Sequence, residues 1–259
     1  MSRHWILFKT VLKRNIIEMR RYYVDTIGYV INYYLIFIFL FIGYKSLISN
    51  VSFTTFPIEG VVIKYIFWLF SVGTLAGTAR FIIQESRAGT LEQIYMTPLG
   101  FNTIIFYCIL ADFITQLIYI IPVFFLAMLT IGKLFFIDIL TFGIILFLTV
   151  LSGYGIGLII GGISLIYKNA LAIARNLQFV YIGIISLSVN SHFLIKFLPF
   201  TLGTNMALYT FNRKLALLNF PLTDILILVF TSMFYLFLGF YILHICEKIA
   251  KNKGVLGHY

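Results

Sequence analysis

The sequence is short of charge, proline, cysteine and histidine, and each shortage excludes something. Only 11% of its 259 residues are charged while 61% are apolar, so the chain cannot cover a core of its own size with water-compatible surface. The two cysteines, Cys108 and Cys246, stand in or beside apolar stretches without a CxxC pair, and they give neither a disulfide framework nor a redox motif. Four histidines, His4, His192, His244 and His258, are scattered without the i, i+4 pairing of a metal-binding helix. No G-x-x-x-x-G-K-[ST] occurs. The nearest fragment, Gly132-Lys133-Leu134, lacks both the upstream glycine and the hydroxyl that would hold magnesium, so the chain carries no P-loop for ATP. A membrane serine protease would need a nucleophile and a base at one depth, whereas Ser164 and His192 fall at the ends of different segments. No catalytic residue, metal or cofactor of its own is expected.

What the chain has in quantity is long apolar runs. Six of them reach 18 residues or more, at 24–47, 61–83, 102–130, 139–167, 177–198 and 222–245. In hydrocarbon every backbone N–H and C=O must find its partner within the segment, and the alternation of a β-barrel is absent. The expectation is an all-α polytopic membrane protein of six transmembrane helices, forming one transmembrane domain over 1–259. The 28 phenylalanines and 17 tyrosines suit lipid contact and the headgroup belt.

The formal charge of +10 follows the span ends and forms no basic patch with interleaved aromatics, which points to lipid headgroups and topology and away from nucleic acid. With the N-terminus inside, 13 basic residues are cytoplasmic: Arg3, Lys9, Lys13, Arg14, Arg20, Arg21, Arg80, Arg87, Lys168, Arg175, Lys248, Lys251 and Lys253. Six, Lys45, Lys64, Lys133, Lys196, Arg213 and Lys214, are then outside, so both termini are expected in the cytoplasm of a multi-pass protein of the plasma membrane. The first span begins late and no small-residue cleavage site follows it, so a removable signal peptide is not expected.

Two flanking pieces stand apart. In 1–23 the residues Trp5, Phe8, Leu12, Ile16, Met19 and Tyr23 share one side at 100° per residue, opposite Arg3, Arg14 and Arg21, with Lys9, Lys13 and Arg20 at the flanks. This pattern predicts an amphipathic helix on the cytoplasmic membrane surface, or else an extension of the first span. Between Pro199 and Pro221 the apolar stretch 202–211 is too short to cross and too apolar for a free loop. It reads as a re-entrant hairpin on the outer face at 199–221, with an ordinary folded loop as the alternative.

Within the spans, Asp112 lies about 15 Å along the third run, close to the membrane midplane by that count, with Gln116 one turn further on the same face. An acid at such depth costs about 2.5 to 3.5 kcal/mol on insertion scales, so it serves either a substrate or ion or a polar clamp to Asn32 or another buried amide. Gly153, Gly157 and Gly161 repeat every four residues and are expected to let a neighbouring helix approach; a hinge is the alternative.

The most informative stretch is the link at 84–98, Gln84-Glu85-Ser86-Arg87-Ala88-Gly89-Thr90-Leu91-Glu92-Gln93-Ile94-Tyr95-Met96-Thr97-Pro98. Thr90 followed by Gln93 predicts a capping box, Glu92 suits a helix N-terminus, Gly89 allows a chain reversal and Thr97-Pro98 ends the helix. A short exposed helix results, with Leu91, Ile94 and Tyr95 along one side as a docking face, unless the segment is a simple turn.

At these residues the sequence resembles the permease subunits of type-2 ATP-binding cassette exporters, whose corresponding link reads E-x-x-x-G-T-[LM]-E-x-[LI]-x-x-[ST]-P. Glu85, Gly89, Thr90, Leu91, Glu92, Ile94, Thr97 and Pro98 fit it. The resemblance extends to the amphipathic N-terminal helix, the inside termini and the hairpin before the last span. It implies that two permease chains pair and that the coupling helix, about 90–96, docks on a separate ATP-binding cassette subunit that holds ATP and Mg. Spans one, two and five would line the path, the outer hairpin would shape the exit, and Glu85 and Arg87 would add charged contacts to that subunit. An amphipathic or lipid-linked cargo would be moved outward. The other readings are a proton-coupled secondary transporter using Asp112, and an intramembrane enzyme or assembly protein.

Overall fold

The computed structural model describes residues 3–50, 58–132, 138–167, 170–189, 192–213 and 216–252, the side chains of 47–50, 212 and 213 excepted. Lys133, Lys168, Lys214 and Lys253, which enter the charge balance, lie outside the described residues, as do His258 and Lys133-Leu134 of the fragment that falls short of a P-loop. Among the described residues every regular element is helical: α1 (Arg3–Arg21), α2 (Tyr23–Asn50), α3 (Ile58–Arg87), α4 (Leu91–Tyr95), α5 (Phe101–Ile131), α6 (Ile139–Ile166), α7 (Ala170–Ser186), α8 (Thr201–Arg213) and α9 (Leu222–Asn252). Short 3-10 turns at Phe193–Phe197 and Leu217–Asn219 flank α8. Five helices, α2, α3, α5, α6 and α9, are long and apolar enough to cross a membrane, and the chain is an all-α polytopic membrane protein.

The fifth expected run behaves differently. Its helix begins earlier, at Ala170, and stops at Ser186 after 17 residues, instead of occupying 177–198. Ala170-Leu171-Ala172-Ile173-Ala174 is a strong helix-forming start, whereas the Ser186 hydroxyl donates to the Ile182 carbonyl at 2.7 Å in the last turn, where the helix ends. At 1.5 Å per residue α7 is about 25 Å long, at the lower limit of a membrane span.

Helix α6 is the axis of the bundle, with α3 on one side and α9 on the other. A methyl group on Gly157 would overlap the Thr74 carbonyl of α3, and one on Gly153 or Gly161 would press on Thr74, Phe200 or Thr78. On the opposite side Gly155 meets the backbone of Tyr235, Gly239 meets the backbone of Gly155, and Gly162 meets Leu243 and Cys246. Contacts this close replace the hydrophobic driving force that lipid does not provide between helices. Phe67, Phe70, Leu75, Ile82, Ile105, Ile145 and Leu158 fill the space between, each almost fully buried.

Helix α8 is sunk into this assembly. Thr201, Leu202, Gly203, Thr204, Met206, Ala207 and Thr210 are buried, Gly203 lies directly on Thr149 of α6, and Phe200 packs edge-on against Tyr181 of α7 with ring centroids 5.4 Å apart. Phe200 holds a left-handed backbone, φ 68°, at the point where the chain turns into α8. A non-glycine residue in that region costs about 1 to 3 kcal/mol, here offset by burial of the ring. Lys196 and Asp224 pair at 2.6 Å and fasten the preceding turn to α9. Helix α2 is the opposite case: Phe37 is its one buried residue among those described, and Tyr23, Ile27, Ile31, Leu35, Phe39 and Ile42 are exposed.

Gly157→Ala is expected to lower the thermal unfolding midpoint of the purified chain, by an amount equivalent to about 1 to 3 kcal/mol of overpacking. Gly143→Ala, where nothing lies within 4 Å of the new methyl, is expected to be neutral or slightly stabilising. Equal behaviour of the two variants in a thermal melt would contradict close packing of α6 on α3.

Candidate functional site

The link between α3 and α5 is held by a carboxylate that binds in two directions. Glu85, in the last turn of α3, is buried to 7% exposure. Its Oε1 lies 2.5 Å from Nη1 of Arg14 in α1, and its Oε2 accepts a hydrogen bond of 2.5 Å from the Thr90 hydroxyl. The Thr90 backbone N–H donates to the Glu85 carbonyl, and Gly89 makes the reversal with φ 69°. Arg14 also lies over the Phe81 ring and bonds Glu18 at 3.2 Å. Partial burial disfavours its charge, but attraction and hydrogen bonding to Glu85, then to Glu18, outweigh that and hold the guanidinium above its ordinary range.

Two expectations are corrected here. Thr90 does not form a capping box with Gln93: its backbone is helical, φ −97° and ψ −7°, and its side chain gives no cap bond, because the hydroxyl is drawn to the buried Glu85. Leu91, Ile94 and Tyr95 do not form an outward docking face either. Leu91 is buried, Ile94 and Tyr95 pack on the core, and the Tyr95 ring is stacked on Phe101 at 4.4 Å with the Lys251 ammonium 4.6 Å from its centroid. Burial, and then the Glu247 carboxylate, push the Tyr95 phenol above its usual range. A five-residue helix between two long apolar helices buries its apolar side against its own bundle, where Phe101 and the Lys251 side chain receive the Tyr95 ring. Its outward residues are Glu92, Gln93 and Met96, the last 85% exposed, with Arg87 exposed beside them. Glu85 is taken up internally and presents no charge outward.

The second constellation lies deeper. The Oδ2 atom of Asp112 accepts from Gln116 Nε2 at 2.6 Å and from the Tyr154 hydroxyl at 2.7 Å, and Gln116 Nε2 also donates to Tyr154 at 2.9 Å. Gly77 and Gly73 of α3 leave the room: a methyl on Gly77 would come within 3.0 Å of Asp112 Oδ2, and one on Gly73 would overlap the Gln116 amide. The Gln116 Oε1 is buried without a hydrogen-bond donor and occupies the space that a side chain on Gly73 would take. The group therefore clamps α5 to α6 across α3. Asn32 has no part in it and sits exposed on α2. Gly153, Gly157 and Gly161 lie along the α3 side of α6, with Tyr154 beside them.

The part that Arg14, Phe81, Phe101, Lys251 and Tyr154 play at these sites escaped the sequence reading. Arg14 carried a signal, since Glu85 needs a counter-charge once α3 is buried; Tyr154 carried none, being one of 17 tyrosines. No protein-family model matches the chain, and no curated protein matches it significantly.

Arg14→Ala and Glu85→Ala are each expected to lower stability and to make 87–92 more susceptible to limited proteolysis. Their double mutant should show a coupling of about 0.5 to 3 kcal/mol in thermal melts, whereas additive effects would mean that the pair does not hold the link. Tyr154→Phe is expected to cost about 1 to 3 kcal/mol, because it removes a donor from a half-buried carboxylate.

Proposed function

We propose that this chain is the membrane-spanning permease subunit of an ATP-driven exporter of the type-2 ATP-binding cassette class, acting as a pair and driven by a separate ATP-binding subunit. The observation that carries the proposal is the two-directional bond of Glu85 to Arg14 and Thr90, which joins α1, the end of α3 and α4 into one stiff body. A lever of this kind suits a subunit that receives force and performs no chemistry itself. The partner would contact Glu92, Gln93, Met96 and Arg87, and ATP with Mg would be bound on that partner.

In this reading α7 counts as a sixth, short span, both termini and α4 face the cytoplasm of the plasma membrane, and α8 with its flanking turns is a re-entrant hairpin open to the outside. The burial of Thr201 to Thr204 against the middle of α6 supports the hairpin. The half-buried side of α1, Phe8, Leu12, Ile16 and Met19, supports a surface helix docked on the bundle. Helix α1 meets α5 at Tyr107, 6.2 Å from the Phe8 ring, so Asp112 would sit only about 8 Å of helix rise from the interface rather than at the midplane. That depth, and the satisfied Oδ2, favour a clamp over the proton path of a secondary transporter.

Glu92→Arg combined with Met96→Arg should abolish co-purification of the cognate ATP-binding subunit and cargo-stimulated ATPase activity, while the melting temperature of the chain alone stays unchanged. Full ATPase coupling in that variant would end the exporter reading. Transport by the isolated chain in a pH gradient, lost in Asp112→Asn, would replace it with the proton-coupled one.

A further inference from the structure

The start of α1 and the third turn of α5 border an open cleft that neither the link nor the Asp112 group uses. It holds about 350 Å³ and is lined by His4, Trp5 and Phe8 of α1 and by Tyr107 and Leu110 of α5. That volume lies at the low end of small-molecule sites, room for a headgroup and too little for a whole lipid. Helical spacing builds both walls: His4, Trp5 and Phe8 fall within about 100° of arc on α1, and Tyr107 and Leu110 are neighbours at i, i+3 on α5.

Four of the five lining side chains are aromatic, and their rings form a continuous row. Centroids are 6.0 Å apart from His4 to Tyr107, 6.2 Å from Tyr107 to Phe8 and 6.0 Å from Phe8 to Trp5, with tilts of 37°, 52° and 41°. None of these pairs is stacked, so no ring in the row covers the face of its neighbour. Phe106 also packs edge-on against Tyr107 at 5.6 Å and restrains that ring. Uncovered π faces are electron-rich and attract a cation without a carboxylate. None of the five lining residues is an acid, a lysine or an arginine, so recognition falls to the rings. A quaternary ammonium suits them best, because its diffuse charge and methyl surface cost little to remove from water.

The charges around the cleft select the source of that cation. Arg3 precedes His4 and Lys9 follows Phe8, both exposed, on a chain of net charge +10, so a bare cation is repelled. A zwitterion that carries a phosphate beside its ammonium satisfies the rings and the basic flank together. We propose that this cleft binds the headgroup of a phosphatidylcholine-class lipid, with the trimethylammonium against the rings of Trp5, Phe8 and Tyr107 and the phosphate toward Lys9. The site needs neither a partner subunit nor ATP, so its failure and that of the exporter reading are separable.

The test uses the full chain, reconstituted in equal parts of phosphatidylcholine, phosphatidylethanolamine and phosphatidylglycerol, with native mass spectrometry to identify the lipid that stays bound. Wild type should retain phosphatidylcholine over each of the others by about fivefold. Tyr107→Phe, which keeps the ring, and Phe237→Leu, which removes an exposed ring of α9, should behave as wild type. Trp5→Leu and Tyr107→Leu should lose the preference, and Lys9→Gln should retain less phosphatidylcholine. Tetramethylammonium chloride should leave the lipid in place. No preference in wild type, an unchanged preference in both leucine variants, unchanged retention in Lys9→Gln, or displacement by tetramethylammonium would each overturn the assignment. An arm on wild type alone guards against variants that fail to fold: phosphatidylcholine with a photoreactive headgroup should label peptides containing Trp5, Phe8 or Tyr107, and labelling confined to other peptides overturns the site.

Discussion

Backbone-to-backbone approach of α6 to α3 and α9 is the constraint on which the other helices depend. Lipid tails are as apolar as leucine, so burying side chains against one another inside a bilayer gains little, and association rests on close contact and on polar groups that bond across helices. Glycines on two sides of α6 supply that contact, to Thr74 and Thr78 on one side and to Tyr235, Gly239 and Leu243 on the other. Tyr154 stands between Gly153 and Gly155, so the same close approach sets the depth at which its hydroxyl reaches Asp112. The polar clamp of α5 is thus a consequence of how α6 is seated.

The link at the end of α3 works by a different principle. A five-residue helix cannot sustain itself, because nucleation fixes several residues for a single hydrogen bond. The shape of α4 is imposed from both sides, by Glu85 on Thr90 and by the stacking of Tyr95 between Phe101 and Lys251. Since Glu85 is also bonded to Arg14, the segment and α1 are fixed to the same point of α3. A load applied at Glu92 or Met96 would therefore reach α1 and α3 together.

Much of the fold was legible in the sequence because hydrocarbon imposes one rule on every spanning segment, and apolar length alone locates α2, α3, α5 and α6 within a few residues and the start of α9, which runs on past 245 to Asn252. The run at 177–198 misled because hydropathy carries no helix-end signal, such as the Ser186 hydroxyl turned back onto the Ile182 carbonyl in the last turn of α7. At the link, Gly89, Glu92 and Thr97 were readable from local backbone chemistry. Thr90 and Glu85 were not, since a tertiary carboxylate outcompeted the local cap. Asp112 and Gln116 were paired correctly by helical spacing, yet their third partner came from α6 and not from Asn32, because spacing along one helix carries no information on which neighbour faces it.

Helix α3 meets almost every part of this arrangement in succession. From one end it touches α2 through Tyr65, α7 through the Trp68 indole bonded to the Gln178 carbonyl, the Asp112 group through Gly73 and Gly77, α6 through Thr74 and Thr78, and α1 and Thr90 through Glu85. It is one unbroken helix of 30 residues, so displacement at Glu85 is passed along it as rigid motion. At α6 the glycine contacts leave no room for the helices to slip past one another, and α6 with α9 must follow α3 as a block. At α2 the attachment is narrower: Tyr65 bonds the Tyr33 carbonyl and packs on the buried Phe37 ring at 5.6 Å, while Tyr34 bonds Thr130 of α5 and Tyr29 packs on Tyr119. The geometry thus sets a closely packed core of α3, α6 and α9 against a peripheral α2, which meets α3 through Tyr65 on Tyr33 and Phe37.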